Sequence, residues 1–277
     1  MIPNTFNDFI AADPHFSYTM KRIKKVMSHS IGALCSHVRS GAFEPAEFEV
    51  GFGIGKALPP IVFALDGGKR IILNGKIDRV DILESDGKGY VKIIDYKSGN
   101  RSFSREQLYY GLQLQLILYM DSYIKTNKAA SGKNLLPGGV FYFHVNDPLV
   151  EKNNGSADIE KLILEQYEMN GLVLNESKVL EAIGEVTPPK TAKSKMKIET
   201  LKSAQAASTE DFEKLCADAE KIACMLGKDI LDGKADIHPV KTKDETGCQY
   251  CRYSGICRFE VRENAEYRTQ KITEENE

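Results

Sequence analysis

The chain has 277 residues, 42% of them hydrophobic, and a formal net charge of −2, which suits one large domain or two small ones with a substantial core. No run of about 18 apolar residues occurs, so no membrane-spanning helix is expected, and the opening MIPNTFNDFIAADPHF lacks the basic and apolar regions of a signal peptide, so the expected location is cytoplasmic. A nearly neutral chain makes no global positive field. Nucleic-acid binding would have to come from local patches such as Lys21 to Lys25 or Lys190 to Lys197, which read first as a solvated helix face and a charged linker.

In chain order, Tyr18 to Val38 reads as a helix punctuated by Ser40-Gly41. Glu47 to Gly53 and Pro59 to Gly68 read as strands joined by a Gly-rich turn. KRIILNGKIDRVDILESDGKGYVKIIDYKSG follows as two strands linked by the turn Ser85 to Gly89, giving an antiparallel meander of three or four strands. GFGIGKA within the first turn imitates a phosphate loop, but only three residues separate Gly51 from Gly55. Ala57 also stands where a Ser or Thr would bind Mg2+, so no ATP site is supported.

Ser104 to Asn127 reads as one helix with Ser104 as N-cap, Gly138 to Asp147 as a strand, and Ala157 to Met169 as a helix opened by Gly155-Ser156. Gly171 to Ser208 is mixed, with the Pro- and Lys-rich VTPPKTAKSKMKIET as a surface excursion. Thr209 to Gly233 is a helix capped by Thr209 and stopped by Gly233. This order predicts an α/β domain over residues 1–240, followed by a cysteine-containing tail over 241–277 that packs on it.

The chemistry concentrates in VKIIDYKSGN, Val91 to Asn100. Alternation along a strand puts Val91, Ile93, Asp95 and Lys97 on one face, so an acid and a base stand together where the sheet ends. The preceding strand embeds Asp78 and Asp81 among apolar residues, where a charge is costly unless paired or bound to a cation. Asp78 shares a face with Val80 and Ile82, whereas Asp81 points the other way. Asp78 is therefore expected beside Asp95 at a Mg2+ site, and Asp81 is expected to pair structurally with Arg79 or Lys92. The bland alternative is a strand-end ion pair between Asp95 and Lys97.

Glu49 in PAEFEVGFG, Asp78 in GKIDRVD, IIDYKSG and GLQLQLILY together resemble the successive motifs of the PD-(D/E)xK nucleases of the RecB class. The resemblance is nearest to the C-terminal nuclease domain of AddB-type subunits of ATP-dependent helicase–nucleases. It implies a restriction-endonuclease-like core, a mixed β-sheet flanked by helices, working as a Mg2+-dependent DNA exonuclease with Mn2+ as a substitute. Asp78, Asp95 and the backbone carbonyl of Tyr96 would bind the metal, and Lys97 would orient or help deprotonate the attacking water. Glu49 would act through water on the metal, with Glu47 as the competing choice. Gln115 and Tyr119 match the family's Gln-x-x-x-Tyr, the Gln either structural or positioning Lys97 and DNA; Gln113 and Tyr110 are lesser candidates.

Cys248, Cys251 and Cys257 form C-x2-C-x5-C, suited to Zn2+, with His238 as a possible fourth ligand, or to an iron–sulfur cluster. The resemblance favours a [4Fe–4S] cluster. In the family the fourth cysteine and a metal-binding histidine lie well upstream; only 77 residues precede Asp78 here, so a truncated domain with an incomplete cluster is expected. Cys35, His29 and His37 are weak substitutes. The expected partners are a single DNA strand threaded from a duplex end and a helicase–nuclease partner subunit in double-strand break repair and recombination, with no membrane. A stand-alone iron–sulfur exonuclease of the CRISPR-adaptation type, or an inactive DNA-binding or scaffolding module, are the alternatives.

Overall fold

A computed structural model describes residues 13–99, 101–132, 134–148, 159–167, 169–184, 186–187, 197–198, 201–242, 246–249, 251–259 and 266–268. Helix α1 (Pro14–Ser40) starts where Asp13 accepts the His15 N–H at 2.9 Å and Pro14 presets its first φ. Strand β1 (Glu44–Phe52) follows. A separate antiparallel ribbon, β2 (Ile61–Ala64) and β3 (Arg70–Leu73), comes next, and then β4 (Gly75–Ser85) and β5 (Lys88–Lys97).

The expected meander is therefore corrected. β1 pairs directly with β4, and the Pro59–Gly68 segment leaves the main sheet to pair with β3. Asn74 separates β3 from β4, which the apolar pattern alone runs together. The β4–β5 hairpin closes at Ser85 and Lys88 through Asp86 and Gly87, both at positive φ (52° and 71°). That is the turn type whose twist matches two paired strands.

Next come the short helix α2 (Arg105–Tyr109), helix α3 (Gln115–Ser131) and strand β6 (Leu135–His144). The single helix expected over Ser104 to Asn127 is broken between α2 and α3, because Gly111 adopts a left-handed φ of 77° that ends the first helix. Ser104 does cap α2, accepting the Gln107 N–H at 3.3 Å.

Helix α4 (Ile159–Glu165) and strand β7 (Met169–Leu174) replace the longer helix expected to Met169. Every residue of β7 is buried, so Gly171 to Leu174 belongs to the core rather than to an excursion. There Gly171 lies so close to β6 that a Cβ would collide with the Val140 carbonyl. Helix α5 (Ser177–Ile183), short strands β8 (Val186–Thr187) and β9 (Lys197–Ile198), and strand β10 (Leu201–Ala207) complete the sheet. Residues 188–196, which hold most of the Lys/Pro-rich segment, lie outside the described residues.

Helix α6 (Thr209–Leu231) is capped by Ser208, not Thr209. Ser208 takes the Asp211 N–H at 3.1 Å, and Asp211 returns the bond to the Ser208 N–H at 3.2 Å. The expected stop is Gly233, at φ 70° just beyond the helix. A one-turn helix α7 (Ser254–Cys257) lies in the cysteine tail.

The main sheet runs β1-β4-β5-β6-β7-β10-β9-β8 and is mixed: β5–β6 and β7–β10 are parallel, the other pairs antiparallel. Helices cover both faces, α1 and α5 on one side and α3 and α6 on the other, as the contacts of Phe143, Tyr90 and Tyr123 with these helices mark. Val91, Ile93, Val140, Phe141 and Leu172 form a fully buried centre. No described helix is long and apolar enough to cross a membrane. The tail reaches back to the core, where Arg268 donates to the Tyr110 carbonyl at 3.0 Å.

Candidate active site

The β4–β5 ladder runs from Ser85–Lys88 to Arg79–Ile94. One step further, where backbone pairing stops, the Asp78 carboxylate takes the Tyr96 N–H at 2.9 Å. This bond fixes Asp78 beside the end of β5, where Asp95 and Lys97 emerge on its face. Lys97 Nζ lies 2.6 Å from Asp95 Oδ2, and the Lys97 side chain is 26% exposed against 3% for Asp95. The pair is open on the lysine side and sealed on the carboxylate side.

Helix α3 completes the constellation from its first residue. Gln115 Nε2 donates to Asp95 Oδ1 at 3.0 Å and to the Tyr119 hydroxyl at 2.9 Å, and its Oε1 faces Lys97 Nζ at 3.4 Å. Residues four apart share a helix face, so Gln115, Tyr119 and Tyr123 form one ridge over the sheet. Gln115 thus touches every catalytic candidate on β5. Gln113 does not: it is buried and holds the loop before α3 through the Ser104 N–H (3.0 Å), the Ser102 carbonyl (2.9 Å) and Gln107 (2.5 Å). Tyr110 contributes its carbonyl to Arg268 rather than to the site.

Burial pushes the Asp95 carboxyl above the usual carboxylate range, and the hydrogen bond and charge of Lys97 pull it back. No hydrogen-bond donor is aligned on buried Asp95 Oδ2, although Lys97 is in ion-pair contact with it. A carboxylate oxygen with this deficit accepts a cation readily. Among the described residues no three His, Cys, Asp or Glu side chains converge as a metal cage. The donor set is therefore two carboxylates, Asp78 and Asp95, with the Tyr96 carbonyl alongside. Such an all-oxygen, incomplete set fits Mg2+, which keeps waters and takes substrate phosphate oxygens.

The two acids of β1 separate. Glu47 accepts the Tyr123 hydroxyl at 2.5 Å, a contact from β1 to α3. Glu49 has an unusual positive φ of 55° and ion-pairs with Lys76, which is two residues before Asp78 on the same strand face. Glu49 is thus the β1 acid with a link toward Asp78. Lys76 was missed in the sequence, although the same alternation that selects Asp78 places it there. Tyr142 was missed too: its ring stands 5.8 Å from Lys97 Nζ, and burial, with the Asp95 charge adding, pushes its hydroxyl to about 12. Only the β5–β6 register reveals that neighbour, through the pairing of Asp95 with Tyr142.

On the opposite sheet face Arg79 grips Asp81 with two bonds, 2.6 and 2.8 Å, and Lys92 adds a third contact at 2.9 Å. Asp81 therefore has both expected partners and no access to Asp95. His37 packs edge-on against Phe143 at 6.0 Å on this face. Burial and the neighbouring Lys92 and Arg79 charges lower it to about 4, surroundings that disfavour a metal cation. Cys35 is exposed on α1.

Cys248, Cys251 and Cys257 are partly buried thiols on successive turns, the Cys251 N–H donating to the Cys248 carbonyl at 3.1 Å. No fourth ligand is gathered with them among the described residues, so this arrangement does not by itself form a cluster cage.

A family model for the PD-(D/E)XK nuclease superfamily matches residues 4–258. An ATP-dependent helicase/deoxyribonuclease subunit of the AddB type, from Alkaliphilus oremlandii, is 34% identical over 294 residues, covering 100% of this chain and 26% of the relative. Its namesake from Acetivibrio thermocellus is 36% identical over 260 residues, covering 91% of this chain and 22% of the relative. That from Clostridium botulinum is 35% identical over 269 residues, covering 94% and 23%. The chain thus spans about a quarter of the length of these curated relatives.

Proposed function

The chain belongs to the PD-(D/E)XK nuclease superfamily and has a restriction-endonuclease-like mixed α/β core, and from that premise we propose that it is a Mg2+-dependent DNA exonuclease module hydrolysing phosphodiester bonds. The observation that carries this reading is the junction of Asp78, Asp95, Lys97 and Gln115 at one open strand end. Asp78, Asp95 and the Tyr96 carbonyl would hold the metal. When bound, Mg2+ supplies electrostatic stabilisation of the charged phosphate and lowers the pKa of water.

The chain's own groups do the positioning. The Tyr96 N–H orients Asp78, and Gln115 holds Asp95 through Oδ1 while its carbonyl oxygen faces the Lys97 ammonium. Lys97 orients the attacking water and draws the scissile phosphate by its charge. Glu49 assists from β1, released from Lys76 when substrate phosphate competes for that cation. Tyr119 keeps the Gln115 amide turned toward Asp95 by accepting its second proton.

The names of the relatives support a role as the nuclease module of a cytoplasmic helicase–nuclease in double-strand break repair and recombination, a helicase partner threading one strand from a duplex end. The C-x2-C-x5-C tail supports a [4Fe–4S] site completed by ligands elsewhere, which iron and sulfide analysis tests; stoichiometric zinc without iron would overturn it. For the nuclease itself, labelled single- and double-stranded DNA should be degraded with Mg2+ or Mn2+ and not with EDTA, and Asp95→Ala should abolish the activity. Cleavage that survives both Asp95→Ala and Lys97→Ala would place the reaction elsewhere.

A further inference from the structure

The carboxyl ends of the parallel strands β5 and β6 open onto a groove of about 810 Å³, lined by Tyr18, Thr19, Arg22, Ser98, Asn146 and Asp147 among others. In open α/β sheets the crevice at such strand ends is where ligands bind. One wall is continuous with the candidate site: Ser98 directly follows Lys97, and the Val145 N–H donates to the Lys97 carbonyl at 2.8 Å.

The other wall is the beginning of α1. The Tyr18 ring is 65% exposed there, with no core packing to account for it. One turn on, Arg22 Nε donates to Asp147 Oδ2 across the groove at 3.0 Å, with the arginine side chain 59% exposed and the aspartate 25%. Lys21, Lys24 and Lys25 are exposed beside it. Beyond the strand ends, exposed Arg101 has its carbonyl held by His144 Nε2 at 2.7 Å. Cations therefore flank the groove at both ends, with an open aromatic face between hydrogen-bonding groups. An aromatic platform within a cationic channel is how proteins hold single-stranded nucleic acid without reading its sequence.

We propose that this groove is the track by which a single DNA strand reaches Lys97, one base stacking on Tyr18 and one phosphate binding Arg22. Asp147 holds Arg22 extended across the groove, and the phosphate displaces it. This inference rests on the nuclease reading for its substrate class but not for its measurement.

The test is fluorescence anisotropy of the whole chain with a short labelled single-stranded oligonucleotide in EDTA, where binding is read without cleavage. Tyr18→Ala should weaken binding about tenfold and Tyr18→Trp should restore it. Arg22→Ala should weaken binding and reduce the salt slope by about 0.7. Asp147→Asn, which frees Arg22 and removes a negative charge, should tighten binding. Both altered α1 residues are exposed, so thermal melts should stay in place. In cleavage assays with Mg2+ the Tyr18→Ala loss should fall on KM rather than kcat. Unchanged affinity and salt slope in Tyr18→Ala and in Arg22→Glu would overturn the track and leave this face to a protein partner. If binding falls in these variants while the chain cleaves nothing, the nuclease reading fails and the track stands. If cleavage depends on Asp95 but binding ignores Tyr18 and Arg22, the reverse holds.

Discussion

The β4–β5 pair carries two carboxylate–cation groups, one on each face, and they have been put to opposite uses. On the α1 side, Asp81 is wholly buried with Arg79 and Lys92 against it, every oxygen engaged. On the α3 side, Asp95 is equally buried, but its lysine is partly exposed and one oxygen lacks an aligned donor. Residue types barely differ between the two. What separates a strut from a reactive centre is position along the strand: Asp81 sits mid-ladder, whereas Asp95 and Lys97 sit where pairing ends and solvent enters. A buried charge group closed on all sides adds specificity at a desolvation cost; one left open offers its deficit to a substrate.

That contrast can be broken experimentally. Lys97→Ala should lower cleavage about 10³- to 10⁴-fold, equivalent to ~4–5.5 kcal/mol of barrier, with little change in urea midpoint because its head group already meets water. Asp81→Ala should do the opposite, costing about 3–5 kcal/mol of stability by leaving two buried cations unpaired, with the residual folded fraction still cleaving. If Asp81→Ala instead abolished cleavage in chains shown by circular dichroism to be folded, the two faces would not be separable. Gln115→Ala should sit between them, a loss of about 10- to 100-fold in activity or metal affinity, and Gln115→Glu should not substitute because it cannot donate to Asp95.

The smallest effect concerns pH. His37 has a pKa of about 4 in the fold against 6.5 when unperturbed, so between those values the unfolded chain binds more protons. Stability must then rise as pH increases through that window and fall as pH drops through it. His37→Gln should flatten this acid limb by about 1–2 kcal/mol, measured by denaturation at pH 4.5 and 7, and should leave the pH profile of cleavage unmoved.

Strand alternation alone separated Asp78 from Asp81 and put Lys97 beside Asp95, because a period of two depends only on neighbours in the chain. The Gln115–Tyr119 ridge was legible for the same reason, at the helical period. Long-range pairing was not. Nothing in Pro59 to Gly68 shows that it abandons the sheet for Arg70–Leu73, and Gly171 to Leu174 reads as a mixed segment until β6 and β10 enclose it. The Gly111 break was hidden because one glycine in a strongly apolar helical pattern is ordinarily tolerated. Tyr142 and the Arg22–Asp147 contact, the latter spanning 125 positions, exist only once β6 is laid against β5 and α1.

The turn at Asp86-Gly87 has a reach well beyond its two residues. It sets which partner each β4 residue meets on β5, with Val80 opposite Ile93. Because side chains alternate, one extra residue that shifted this register would turn the whole strand over. Arg79 and Asp81 would then face α3, while Asp78 would be sealed beneath α1 among Lys92 and His37. The hairpin loop, some way from any phosphate, thus acts as a gauge block for the reaction: its length decides which side of the molecule is able to hold a metal.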